Sequence, residues 1–292
     1  MTRPSFALGV ALVAGGALCW SFAGVVTRSL QANPWEIVFW RSVVMALTIG
    51  GYLMLFDRAA TLDAIRRAWR AMLLSAFCLS GAFVGFFVAL EHTTVANTLV
   101  VTASAPLIAA LLARIFLGEA VRPATWLAML AAIGGVTLTV VDSLSGTGIA
   151  GPLMALACAI SFAANMVVIR TRPDVNMMFS VVLGGIVSAL ITLPLAWPFP
   201  APSHEIPWLA FLGVVQLGLG LVLFTLGLRH LPAATASLVG LLETVLGPLW
   251  VWLAFGESPG FYGFIGGGVI LGALALNTLW EARAARLRLA PA

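Results

Sequence analysis

Long apolar runs dominate this chain, and charge, glycine or proline separates one from the next. Ten runs fall at about residues 5–28, 35–56, 71–91, 95–117 and 122–141, then 148–170, 177–197, 207–228, 233–255 and 260–280. An α-helix rises ~1.5 Å per residue, so runs of roughly 20 residues match a hydrocarbon core of ~30 Å. The pattern predicts an all-α, polytopic membrane protein with ten transmembrane helices. Several runs begin with helix-start chemistry: "NPWE" at 33–36, "RPATW" at 122–126 and "ESPG" at 257–260, where a proline suits the first turn. The first run follows Arg3 and continues from about Ser5 to Val26. That is long for a signal-peptide core, and we expect a retained span.

Composition agrees with a lipid solvent. Of 292 residues, 61% are hydrophobic and 9% charged, with a mean hydropathy of +1.07. Soluble domains are roughly a quarter charged. Every basic residue is Arg, and no Lys occurs. The absence of Lys excludes a Walker-A phosphate loop and a retinal or pyridoxal Schiff base, and it argues against ATP hydrolysis by this chain. The pI of about 9.6 comes from Arg scattered at run ends, which reads as topogenic charge and not as a nucleic-acid surface. Cys19, Cys78 and Cys158 lie inside apolar runs without metal-ligand spacing and read as small core residues. No cofactor or metal is expected.

An internal repeat accompanies the ten runs. A shift of 142 places "GGALCWSFAGVVTR" on "ACAISFAANMVVIR", so that Trp20 falls on Phe162 and Arg28 on Arg170. A shift of 138 aligns His92 with His230, Ala96 with Ala234, Gly118-Glu119 with Gly256-Glu257, and Gly134 with Gly272. This divides the chain into two five-helix units, 1–145 and 146–292. With ten spans both termini share a side, and that side collects 13 Arg while the other has Arg28 alone and Arg41 lies inside a span. The bias places both termini in the cytoplasm of a bacterial inner membrane. Five is odd, so the first helices of the two units enter from opposite faces and the units are inverted. Inverted repeats suit alternating access, because exchanging their conformations exchanges the open side.

The two halves close their fourth spans with "LGE" at 117–119 and "FGE" at 255–257, span 2 opens with "FWRSVV", and span 9 carries "LLETVLGP". In these motifs, and over nearly its whole length, the chain resembles the EamA-type members of the drug/metabolite transporter superfamily. Within that family it looks most like the YddG-type bacterial exporters of aromatic amino acids. The resemblance implies a secondary carrier, linked to the proton-motive force and without ATPase parts. One departure is Leu183, which stands in the second half where Arg41 would align.

Glu243 is a single carboxylate inside the ninth run. Ten residues of helix put it ~15 Å deep, near the midplane, where an ionised group costs several kcal/mol unless something offsets it. Thr244, Gly247 and Pro248 loosen the helix around it. It reads either as a proton-titrating or amine-binding carboxylate, or as a packing group tied to a neighbouring helix. Arg41, ~9 Å into span 2, could pair with Glu243, receive a substrate carboxylate, or anchor to loop carbonyls or to Glu36.

Further candidates for a substrate site are Asn97, Ser104, Asn165 and Gln216, each able to recognise a polar group or simply to hydrogen-bond a neighbouring helix. Trp20, Phe83 and Phe162 would supply an apolar, stackable wall. Phe77 also lies near the midplane, whereas Phe86, Phe87 and Phe224 count nearer span ends. Trp35, Trp40, Trp69, Trp197 and Trp208 read as an interfacial belt. The three His lie at span ends or in loops, so a Ser-His intramembrane enzyme lacks its parts, and isolated polar groups argue against a channel. GxxxG spacings at Gly263/Gly267 and Gly268/Gly272, with Gly134-Gly135 in span 5, let helices approach closely. The basic tail can meet anionic lipid headgroups. The expected protein is therefore a monomeric carrier exporting small metabolites, with a lipid bilayer as its other partner. A broader drug/metabolite exporter is the alternative.

Overall fold

A computed structural model describes residues 6–27, 29–93, 95–139, 148–199, 203–256 and 260–289. These residues form helices and no strands. In chain order the helices are α1 (Phe6–Ser21), α2 (Ala23–Thr27), α3 (Pro34–Phe56), α4 (Arg58–His92), α5 (Val95–Thr102), α6 (Ala105–Leu117), α7 (Pro123–Thr139) and α8 (Ala150–Arg170). Then come α9 (Met178–Ala196), α10 (Ile206–Phe211), a π-helical stretch (Leu212–Leu219), α11 (Gly220–Gly227), α12 (Ala233–Gly240), α13 (Leu242–Phe255) and α14 (Gly260–Leu289). Among the described residues nine helical stretches are long and apolar enough to cross a membrane, and a tenth, Pro123–Leu138, is shorter.

Three crossings depart from simple rods. The third was expected to begin near residue 71, but α4 starts at Arg58 and bends at Ala68, whose φ of −136° and ψ of 21° leave the helical region. The added arm is amphipathic. Thr61, Ala64 and Ala68 are buried, while its Arg and Asp residues point out, so hydropathy alone does not join it to the span. The fourth crossing is divided into α5 and α6, and the ninth into α12 and α13. Each break is a tight turn: Ser104 N–H donates to Val101 O at 3.0 Å, and Leu241 N–H to Leu238 O at 3.1 Å. Near each, a hydroxyl bonds back along its own helix, Ser104 Oγ to Val101 O at 2.6 Å and Thr244 Oγ1 to Leu241 O at 2.7 Å. The expectation of a loosened helix around Glu243 thus resolves into an actual interruption two residues before it.

Small residues set which spans meet. A Cβ on Gly16 would lie 2.8 Å from Gly220 O, so α1 and α11 cross almost backbone to backbone. A Cβ on Gly135 would lie 2.9 Å from Gly266 O, which packs α7 on α14 within one molecule. Similarly α4 rests on α8 through Gly81 and Gly85, against Ser161 and Cys158, and α3 on α9 through Gly185 against Ser42 and Met45. Each of these pairs joins a helix from before residue 145 to one from after it.

Candidate functional site

Glu243 falls in the first turn of α13, a helix that begins partway along the apolar stretch Ala233–Phe255 because the chain breaks at Leu241. The partial positive charge of a helix N-terminus favours a carboxylate there by about 0.3–1 kcal/mol. Its side chain is half-buried, lies within electrostatic reach of Cys158 on α8, and makes no hydrogen bond or ion pair among the described residues. Cys158 itself donates to Ala82 O at 3.2 Å, which places this part of α8 against α4.

Arg41, on α3, faces the same helix α4. Its guanidinium carbon stands 5.0 Å from the Phe87 ring centre and 5.5 Å from that of Phe83. Among the described residues it forms no hydrogen bond or ion pair, and its Nε is buried without a partner. Arg41 therefore pairs with neither Glu243 nor Glu36, and with no loop carbonyl, among the described residues. Two aromatic faces offset part of the desolvation of the cation, but they leave its in-plane donors open to a ligand. Phe87 was counted nearer the span end and did not enter the expected wall. A position count along one helix does not reveal which neighbour's cation a ring will carry.

Trp20, Phe162 and Phe224 form one aromatic cluster. Trp20 meets Phe162 edge to face at 5.9 Å between ring centres and Phe224 at 4.9 Å, and Phe162 lies 5.6 Å from Phe224. Phe224 was placed near a span end by residue count, yet it is fully buried. Its proximity depends on Gly220: a Cβ there would fall 2.4 Å from Trp20 Nε1. Phe77, by contrast, is 61% exposed on the outer, lipid-facing surface.

The candidate amides divide. Gln216 sits in the π-helical stretch and donates from Nε2 to Trp20 O at 3.3 Å. Its Oε1 and the Trp20 indole N–H are both buried without partners, an acceptor and a donor beside the aromatic cluster. Asn165 is occupied differently: its Oδ1 accepts from Ser75 Oγ at 2.6 Å, and Ser75 lies 2.9 Å from Ser180 Oγ. That buried network ties α4, α8 and α9 together. Ser104 spends its hydroxyl on its own helix break, and the side chain of Asn97 lies outside the described residues.

The end of the bundle that carries most of the Arg residues has a clamp that sequence reasoning did not identify. Arg170, the last residue of α8, donates from Nε to Glu119 Oε1 at 2.8 Å and also pairs through Nη2 with the same carboxylate. Its Nη1 donates to Leu228 O at 2.8 Å and to Leu231 O. Glu119 reaches it because Gly118 ends α6 in the left-handed region, at φ 66°, which glycine adopts without steric cost. The "LGE" motif is the signal for this turn. Arg28 and Glu257, which the repeat aligns with Arg170 and Glu119, lie outside the described residues. A cavity of about 250 Å³ opens beside the clamp, lined by Glu119, Arg122, Thr125, Arg170 and Thr235. Neither Arg41 nor its rings line this cavity.

At the opposite end Glu205 is buried and accepts from the backbone N–H groups of Gln31 at 2.8 Å and Ala32 at 3.2 Å. Trp250 Nε1 donates to Ser21 Oγ at 2.8 Å, and its ring stacks on Phe22 at 5.2 Å. Both halves of the chain are thus tied to each other at both ends.

Comparison with known proteins places these features. The sequence model of the EamA-like transporter family matches the chain twice, over residues 7–141 and 149–279. A Bacillus subtilis (strain 168) protein described as the uncharacterized transporter YwfM is 28% identical over 258 residues, covering 82% of this chain and 83% of its own. A crystal structure with 22% sequence identity superimposes with a TM-score of 0.80, covering 96% of this chain and 99% of the other. That likeness concerns the fold.

Proposed function

Because this chain belongs to the EamA-like transporter family, we propose that it exports small zwitterionic metabolites, above all amino acids with aromatic or apolar side chains, across a bacterial inner membrane. The observation that carries the proposal is a pair of opposite charges inside the spans, Arg41 and Glu243, neither of which has a counter-ion among the described residues. A zwitterion supplies one to each. Its carboxylate takes the planar donor edge of Arg41, above the Phe83 and Phe87 faces, and its ammonium takes Glu243. An apolar or aromatic side chain then rests against Trp20, Phe162 and Phe224, where ring contacts add ~0.5–1.5 kcal/mol beyond area burial. The unpartnered indole N–H of Trp20 and Oε1 of Gln216 can meet a polar substituent on that side chain.

Transport follows from the paired halves. Alternating access requires the two inverted units to rock about the site, opening the Arg170–Glu119 clamp at one end and the Glu205 clasp at the other. Glu243 can exchange a proton for the substrate ammonium, which gives a route for coupling export to the proton gradient. The Arg-rich end is the cytoplasmic one in this scheme, so the 250 Å³ cavity beside the clamp is the vestibule from which solute is loaded.

The test compares an aromatic amino acid with its decarboxylated amine in proteoliposomes. Wild type should show saturable counterflow of the amino acid and discriminate against the amine. Arg41→Gln should lose most of that discrimination, because only the carboxylate-bearing solute uses the guanidinium. Equal handling of both solutes by wild type would favour a broad drug/metabolite exporter. Linear flux without counterflow would refute a carrier.

A further inference from the structure

We propose that the groove between the bent start of α4 and the α8–α9 connection binds the phosphate of an anionic phospholipid headgroup. Arg66, Arg67, Ala68, Trp69, Arg70 and Arg172 line this groove. Four Arg residues from two separate elements therefore border one groove. Asp63 accounts for one of them, through its pair with Arg67, and Asp174, two residues after Arg172, forms no ion pair among the described residues. Arg70 stands 5.2 Å over the Trp69 ring, which keeps its charge available on the outer side. Arg66 and Arg172 make no hydrogen bond or ion pair among the described residues.

Location selects a lipid over a soluble anion. The kink at Ala68 is where the amphipathic arm of α4 ends and its apolar span begins. Trp69 in the groove, and Leu74 and Phe77 beyond it, are 51%, 54% and 61% exposed. Such a surface is covered by acyl chains, and an exposed Trp at its edge marks headgroup level. A phosphate held by the Arg residues would have its acyl chains lying along Leu74 and Phe77. The arm turns its buried side, Thr61, Ala64 and Ala68, against the protein, so the charged side faces the leaflet. Guanidinium binds phosphate oxygens in the planar, two-pronged way that makes Arg the usual choice for that group.

The experiment uses the full chain purified in detergent, titrated with phosphatidylglycerol or phosphatidylcholine and read as bound lipid by native mass spectrometry. Wild type should retain phosphatidylglycerol preferentially. Arg66→Gln/Arg172→Gln should weaken that preference by about fivefold per guanidinium, the worth of one basic residue near an anionic surface. Its melting temperature in phosphatidylcholine should stay unchanged. Arg58→Gln/Arg114→Gln removes the same charge from exposed positions outside the groove and should leave the preference within about twofold of wild type. Equal losses for the two double variants, or no loss for the first, would overturn the site. Inorganic phosphate that displaced phosphatidylglycerol at millimolar concentration would show that a free anion, and not a lipid, is the occupant.

Discussion

Replacing Glu119 by glutamine keeps the shape of the clamp and removes its charge. Arg170 and Glu119 are each 21% exposed at the side chain, between the exposed pairs that contribute about 0.2–1 kcal/mol and the buried ones that cost about 3–5 when broken. Two donors on one carboxylate oxygen, in that partly dry setting, give an expected loss of about 1–2 kcal/mol for the clamped state. Since 1.4 kcal/mol is about a factor of ten, the population open at the Arg-rich end should rise roughly tenfold. Thr235 lines the adjoining cavity and is 2% exposed, which makes Thr235→Cys a reporter of opening. In a background without Cys19, Cys78 and Cys158, the cysteine should react about tenfold faster with a membrane-impermeant maleimide once Glu119→Gln is added. A double-mutant cycle with Arg170→Gln should recover most of the same energy as coupling between the two positions. An unchanged labelling rate, with the fold intact, would mean that the carbonyl bonds of Arg170 hold this end closed without the carboxylate, and the gating assignment would fall.

Glu243→Gln should abolish flux driven by a pH gradient while leaving the melting temperature near that of wild type, because no hydrogen bond or ion pair among the described residues is lost; undiminished pH-driven flux would remove the coupling role. Trp20→Ala should reduce transport of an aromatic amino acid about two- to tenfold and of alanine much less, since only the former gains that ring contact of about 0.5–1.5 kcal/mol; equal reductions would mark Trp20 as packing. Gly220→Ala should destabilise the protein by about 1–3 kcal/mol, its new methyl meeting the Trp20 indole, whereas Gly268→Ala, which has nothing within 4 Å of the added carbon, should be neutral or slightly stabilising in thermal unfolding.

Hydropathy and punctuation were enough to establish an all-helical, multi-pass chain, because the bilayer demands that each crossing be a long apolar helix with its backbone bonds satisfied internally. The same pattern located Glu243 and Arg41, since a charge inside an apolar run is visible without knowing its neighbours. Motif residues gave the family. The amphipathic arm of α4 was missed because its apolar face is narrow, and the breaks at residues 103–104 and 241 hid inside runs whose composition does not change across them. Partnership was decided in three dimensions. Arg41 lies on Phe83 and Phe87, Arg170 closes on Glu119 across 51 positions of sequence, and Phe224 joins Trp20 through a gap that Gly220 leaves open. A one-dimensional pattern records how each helix is solvated, whereas the identity of its neighbours depends on where small residues let backbones approach, and only the packed bundle contains that information.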